Sequence, residues 1–74
     1  MIASLSGILS SKSPQDAIIS VQGVGYQVFI ALSTYFTLPN SNEPVQVFVS
    51  THWRNDTIQL FGFATTEEKQ AFTL

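Results

Sequence analysis

Between positions 45 and 54 the chain alternates without a break, with Val45, Val47, Val49, Thr51 and Trp53 on one face and Gln46, Phe48, Ser50, His52 and Arg54 on the other. A period of two puts successive side chains on opposite faces of a strand and does not suit an amphipathic helix. Asn55 and Asp56 interrupt the pattern, and a second β-rich run follows from Thr57 to Phe63. Two polar residues between two such runs predict a β-hairpin with Asn55-Asp56 at its tip.

The rest of the chain reads in the same way. Residues 2–10 mix apolar residues with Ser and predict a curved strand, with Gly7 as its bulge or bend. Residues 11–15 form a loop by composition. Asp16–Val21 is β-branched and apolar, and Gly23-Val24-Gly25 leads into a third strand at 26–30. The two glycines, Gly23 and Gly25, permit a tight turn with positive φ between adjacent strands. Residues 33–38 are too few for an ordinary helix and stop at Pro39, which predicts an irregular or 3₁₀ turn. Thr65 and Glu68 match a capping box, so a helix is expected from Thr66 to the last residue. That helix stops without Gly, Pro or a basic last turn, as though cut. The expected organisation is a barrel domain at 1–64 and, at 65–74, the start of a helix leading onward.

Five short strands without βαβ spacing predict an all-β fold, a five-stranded barrel of OB type with a short C-terminal helix. An SH3-like barrel is the nearest rival. A domain of 74 residues buries only about 60% of its unfolded surface. With no Cys and one His, neither a disulfide nor a metal site can supplement that core. No cofactor is implied. There are nine aromatic residues, six Phe, two Tyr and one Trp, and large residues occupy both faces of several strands. A barrel this narrow cannot hold them all, so some are expected to meet another subunit or domain.

Charge narrows the function classes. Three Lys/Arg against five Asp/Glu give a net charge of -2, which argues against a nucleic-acid binder working through a broad basic face. The longest apolar run, residues 28–32, is far too short to span a bilayer, and a cytoplasmic location is expected. His52 has Ser50, Arg54 and Asp56 as neighbours in the strand pattern but no catalytic constellation, and a structural use is expected. Gly23-Val24-Gly25 lacks the third glycine and the helix of a dinucleotide fingerprint. Lys12 and Arg54 fall where OB barrels commonly contact oligonucleotides, and they are the candidate phosphate contacts. Two lone cations imply weak binding with a shallow salt slope, about -0.9 per phosphate. Trp53 could stack on unpaired bases, but its place on the Val45/Val47/Val49 face predicts packing in the core or at the barrel rim. The tip at Asn55 and Asp56 is an ordinary polar turn by composition; near DNA, its carboxylate would repel phosphates.

These pieces occur together in a known order. Met1-Ile2, Leu5 and Gly7, then Gly23-Val24-Gly25-Tyr26, Leu38-Pro39, Thr51-His52, Arg54 with Asp56, Phe61-Gly62-Phe63, and Glu68 with Phe72 resemble the amino-terminal domain of the RuvA family across the whole chain. That resemblance implies a non-catalytic OB-fold domain of a Holliday-junction-binding subunit, active with a partner motor in branch migration during DNA recombination and repair. It further implies a homotetramer, four-way junction DNA as ligand, a following helix-hairpin-helix domain, and a RuvB-like hexameric motor engaged through a domain outside these residues. The family carries two adjacent carboxylates as an acidic pin at the hairpin tip. Here the matching positions are Asn55 and Asp56, so a fourfold assembly would carry half that negative charge. Two other readings stay open: an unrelated OB or SH3-like barrel serving protein assembly, and a weak single-strand-binding OB domain.

Overall fold

In the computed structural model, which describes residues 2–73, five strands close into a barrel in the order β1-β2-β3-β5-β4. They are β1 (Ser4–Lys12), β2 (Asp16–Val21), β3 (Val24–Phe29), β4 (Pro44–Arg54) and β5 (Thr57–Phe63), with a short helix α1 (Leu32–Thr37) between β3 and β4 and a second, α2 (Thr66–Thr73), after β5. The neighbours pair antiparallel except β3 with β5, which run parallel. This is the expected OB-type barrel with a short C-terminal helix.

Alternation builds the core. Leu5 and Leu9 of β1, Ala17 and Ile19 of β2, Val28 of β3, Val47 and Val49 of β4, and Leu60 of β5 are all buried, and Leu38 joins them from beyond α1. Each of those in a strand is an in-pointing position of it. A buried Leu, Ile or Val contributes about 1.5–3 kcal/mol relative to exposure, and in a chain without Cys this interior is the main source of stability.

The β1–β2 connection is tied by side chains. Ser13 Oγ donates to the Asp16 carboxylate at 2.7 Å and accepts from the Asp16 backbone N–H at 3.2 Å, while Gln27 Nε2 donates to the other carboxylate oxygen at 2.7 Å. The Ser13 bond, then the Gln27 bond, hold the Asp16 carboxyl below the usual carboxylate range, because both stabilise its charged form.

Four local expectations need correction. The first strand runs from Ser4 to Lys12, so the loop is only 13–15, and the register shift falls between Leu9 and Ser11, not at Gly7. Gly7 has a different reason: a Cβ there would overlap the Ser20 carbonyl oxygen of β2 and crowd Val21. The tight turn between β2 and β3 is Gln22-Gly23, at φ 51° and 89°, a two-residue connection whose positive φ values match the strand twist. Gly25 is therefore no turn residue; it lies inside β3 opposite Ser20. Residues 32–37 form α-helix instead of an irregular or 3₁₀ turn, with Tyr35 N–H donating to the Ala31 carbonyl at 3.0 Å and Leu38 N–H to the Thr34 carbonyl at 3.1 Å. Burial explains it: Thr34 is fully buried and Leu38 enters the core, so tertiary packing overrides the poor local propensity. The fourth correction, Trp53, belongs to the site.

The barrel seam is thin. Only Phe29 and Phe61 stand as register partners between β3 and β5. Their rings lie 5.8 Å apart, and Gly62 packs against Val28.

Candidate functional site

Pairing with β1 takes up β4 only through Phe48, with one further bond from Val49 N–H to the Ala3 carbonyl at 2.8 Å. Residues 50–54 have β5 as their only strand partner, in register from Ser50↔Phe61 to Arg54↔Thr57. The hairpin thus leaves the barrel as a two-stranded ribbon. At its root, Thr51 Oγ1 accepts from the Ile2 N–H at 3.2 Å and donates to the Ile2 carbonyl at 2.6 Å, which anchors the ribbon to the start of the chain.

The tip is Asn55-Asp56, with φ of 50° and 63°. Two successive left-handed residues in a two-residue connection are the type I′ arrangement, whose first position Asn suits best among residues with a side chain. This gives a local reason for an amide at 55, independent of any role in binding. Both residues are exposed. Among the described residues the Asp56 carboxylate has no hydrogen-bond or ion-pair partner, so its charge is presented to solvent.

The candidate cations differ. Lys12 ends β1, its Nζ donating to the Leu38 carbonyl at 3.4 Å and lying 5.1 Å from the centre of the Tyr35 ring. Lys69 Nζ reaches the Ala3 carbonyl at 3.3 Å. Arg54 is exposed next to the tip and, among the described residues, has neither an ion pair nor a hydrogen bond from its side chain. It is the cation placed with Asp56 and Asn55; Lys12 sits on a different element, held against α1.

Trp53 is where the reading by faces fails. It does follow Val47, Val49 and Thr51 in the alternation, yet it is 71% exposed, because the ribbon has already passed the barrel rim. Ile58, its register partner, is exposed with it. The opposite face of the ribbon carries a cluster that the sequence reading did not assemble. Phe72 of α2 packs 5.1 Å from Phe61, 5.1 Å from Phe63 and 5.4 Å from His52, and His52 stands edge-on to Phe61 at 5.1 Å. His52 Nε2 is 2.9 Å from Ser50 Oγ. The expected structural use of His52 fits this setting. The capping box holds α2 in place for it: Glu68 N–H donates to Thr65 Oγ1 at 3.1 Å. The surplus aromatics Phe61 and Phe63 gave the only sequence signal that something would cover this face.

Residues 1–62 match the model of the RuvA N terminal domain. The chain belongs to that family. Similar curated proteins are the Holliday junction branch migration complex subunit RuvA of Geobacter metallireducens, 50% identical over 72 residues that cover 97% of the chain and 36% of the relative, and that of Geobacter sulfurreducens, 50% identical over 74 residues, 100% of the chain and 37% of the relative. The same subunit of Neisseria meningitidis is 43% identical over 72 residues, again 97% and 37%. The chain therefore spans little more than a third of the length of these relatives. In this RuvA-family domain the ribbon tip brings Arg54, Asn55 and Asp56 together as exposed residues.

Proposed function

We propose that this chain is the junction-facing barrel of a subunit of a Holliday junction branch migration complex, non-catalytic in itself and working in the cytoplasm with an ATP-driven, RuvB-like partner motor. The observation that carries the reading is the Asn55-Asp56 tip of a family-member barrel, a two-stranded ribbon that presents an exposed carboxylate beyond the rim. Around a fourfold axis such tips would set like charge against the phosphates at the crossover. That repulsion disfavours a closed, gripped junction and favours separated strands, while affinity comes from elsewhere in the protein. A helix-hairpin-helix domain following residues 65–74 would supply that grip. Exposed apolar residues on α1, Leu32 and Phe36, support burial against another subunit or domain, as a homotetramer would provide.

The test compares four-way junction with linear duplex in gel-shift titrations of the full-length protein carrying this domain. A preference for the junction is expected; equal affinity for the two would overturn the reading. Residues 1–74 alone are expected to bind weakly, since Arg54 and Lys12 could neutralise at most two phosphates per protomer.

A further inference from the structure

Along a strand the N–H and C=O of one residue point to the same side, and those of the next residue to the opposite side. Val24 closes the two-residue turn opposite Val21, and Ile30 N–H donates to the Gln15 carbonyl at 3.0 Å. The even-numbered residues from Val24 to Ile30 therefore direct their backbone groups toward β2, and Gly25, Gln27 and Phe29 direct theirs away from it. Phe29 meets its register partner Phe61 of β5. Among the described residues, Gly25 and Gln27 have no backbone partner on that side, and both are exposed. Val24 shares a strand face with the fully buried Val28, yet it is 52% exposed, because β3 has no register partner in β5 before Phe29.

Soluble proteins blunt a free edge with a charged side chain, a Pro or a bulge. β3 has none of these: it pairs with β2 without a register shift, and residues 17–42 carry no charged side chain. A second β3 in antiparallel register fits such an edge. With Tyr26 opposite the partner's Tyr26, Gly25 stands opposite the partner's Gln27 and Val24 opposite the partner's Val28. The residues with free backbone groups then form the hydrogen-bonded pairs, and the tyrosines form the closer pair between them. No charge faces a like charge across the joint. Centring on Gln27 would instead call on Phe29, which β5 already holds, and centring on Gly25 would call on Gly23 of the turn.

We propose that the edge from Val24 to Val28 is a self-association site, at which two copies join β3 to β3 about Tyr26 and their barrels share one continuous sheet. The contact is isologous and twofold, and so is separate from head-to-tail contacts that close a ring. It involves no DNA and does not rest on the function proposed above.

The experiment uses the full-length protein without DNA, over a concentration series, with light scattering for mass and amide hydrogen exchange resolved to single residues. Mass per particle is expected to double as concentration rises. Exchange at the Gly25 and Gln27 N–H should slow in step with it, while the Tyr26 N–H, directed at β2, should not change. Gln27→Pro removes an outward N–H and leaves the β2 ladder intact. It should weaken the association by about five- to 150-fold, the worth of the two hydrogen bonds lost across the twofold joint. Gln27→Ala keeps the N–H and should associate like wild type. Should Gln27→Pro fail to fold, the wild-type exchange comparison decides alone. A mass that stays constant at every concentration would overturn the proposal. So would association that leaves exchange at Gly25 and Gln27 unaltered, which would assign the contact to another surface, such as Leu32 and Phe36 of α1. Protection of both amides at every concentration without a change in mass would place another segment of the full chain on this edge and overturn it equally.

Discussion

Substitution at Asp56 separates what the turn needs from what the charge does. Asp56 sits at φ 63° after Asn55 at φ 50°. A left-handed conformation costs an L-residue about 1–2 kcal/mol, with Asp toward the lower end and a β-branched residue at the upper end or above it. Glycine removes that strain but adds about 0.4–1 kcal/mol of unfolded-chain freedom. Asp56→Gly should therefore lie within about 0.5 kcal/mol of wild type, whereas Asp56→Val should lose about 1 kcal/mol or more. In a domain of this size a difference of 1 kcal/mol moves the midpoint by about 4–8 °C, so the two variants should melt about 5–15 °C apart by circular dichroism. Both remove the carboxylate. In the full-length protein Asp56→Gly and Asp56→Asn should thus change branch-migration rate or junction geometry while folding is preserved. Loss of more than about 1 kcal/mol in Asp56→Gly would refute the turn assignment. Unaltered branch migration in a stably folded Asp56→Gly protein would refute the role of the charge.

Three further outcomes follow from the barrel. Gly7→Ala should cost about 2 kcal/mol or more in urea denaturation, because the new Cβ meets the Ser20 backbone oxygen and cannot turn away from it; an unchanged midpoint would show that β1 and β2 are farther apart. Thr34→Val should gain about 1 kcal/mol in thermal melts, since Thr34 Oγ1 is buried without a partner and Val keeps the shape while removing the polar atom; a loss would reveal a bond made by that hydroxyl. The lowered pKa of Asp16 adds stability that is present above the unfolded carboxylate range, near pH 4, and is lost as pH falls through the folded value. Asp16→Asn should accordingly be less stable than wild type at neutral pH, and the gap should close in acid; a constant gap from pH 7 to 2 would remove the charge from the explanation.

Strands were legible wherever side-chain alternation and turn chemistry agreed. Asp16–Val21 and Thr57–Phe63 emerge with their predicted bounds, and the Thr65/Glu68 capping box starts α2 where expected. The Asn55-Asp56 tip was readable because two-residue turns demand residues that tolerate positive φ. Misreadings came where long-range packing decides. No local rule says that Thr34 becomes fully buried, which makes a helix of a weak six-residue segment. Alternation gave Trp53 its face correctly, but the point at which β1 stops accompanying β4 determines whether that face is interior or solvent. Gly7 and Gly25 invite the same turn-or-bulge explanation in sequence, yet one answers to a neighbouring backbone and the other simply occupies a strand.

The seam between β3 and β5 sets how the ring responds to temperature. Four of the five joints are backbone ladders, while this one is closed at a single register position and sealed by Phe29 on Phe61 and Val28 on Gly62. Attraction between apolar side chains fades on cooling, and hydrogen-bonded ladders do not share that weakness to the same degree. Chilling should therefore loosen this barrel at one joint before the others, leaving a curled open sheet whose two new edges are β3 and β5. A chain with so little charge has few means of keeping such edges from finding one another, so cold storage at high concentration is the condition under which its closed barrel is most exposed to strand exchange.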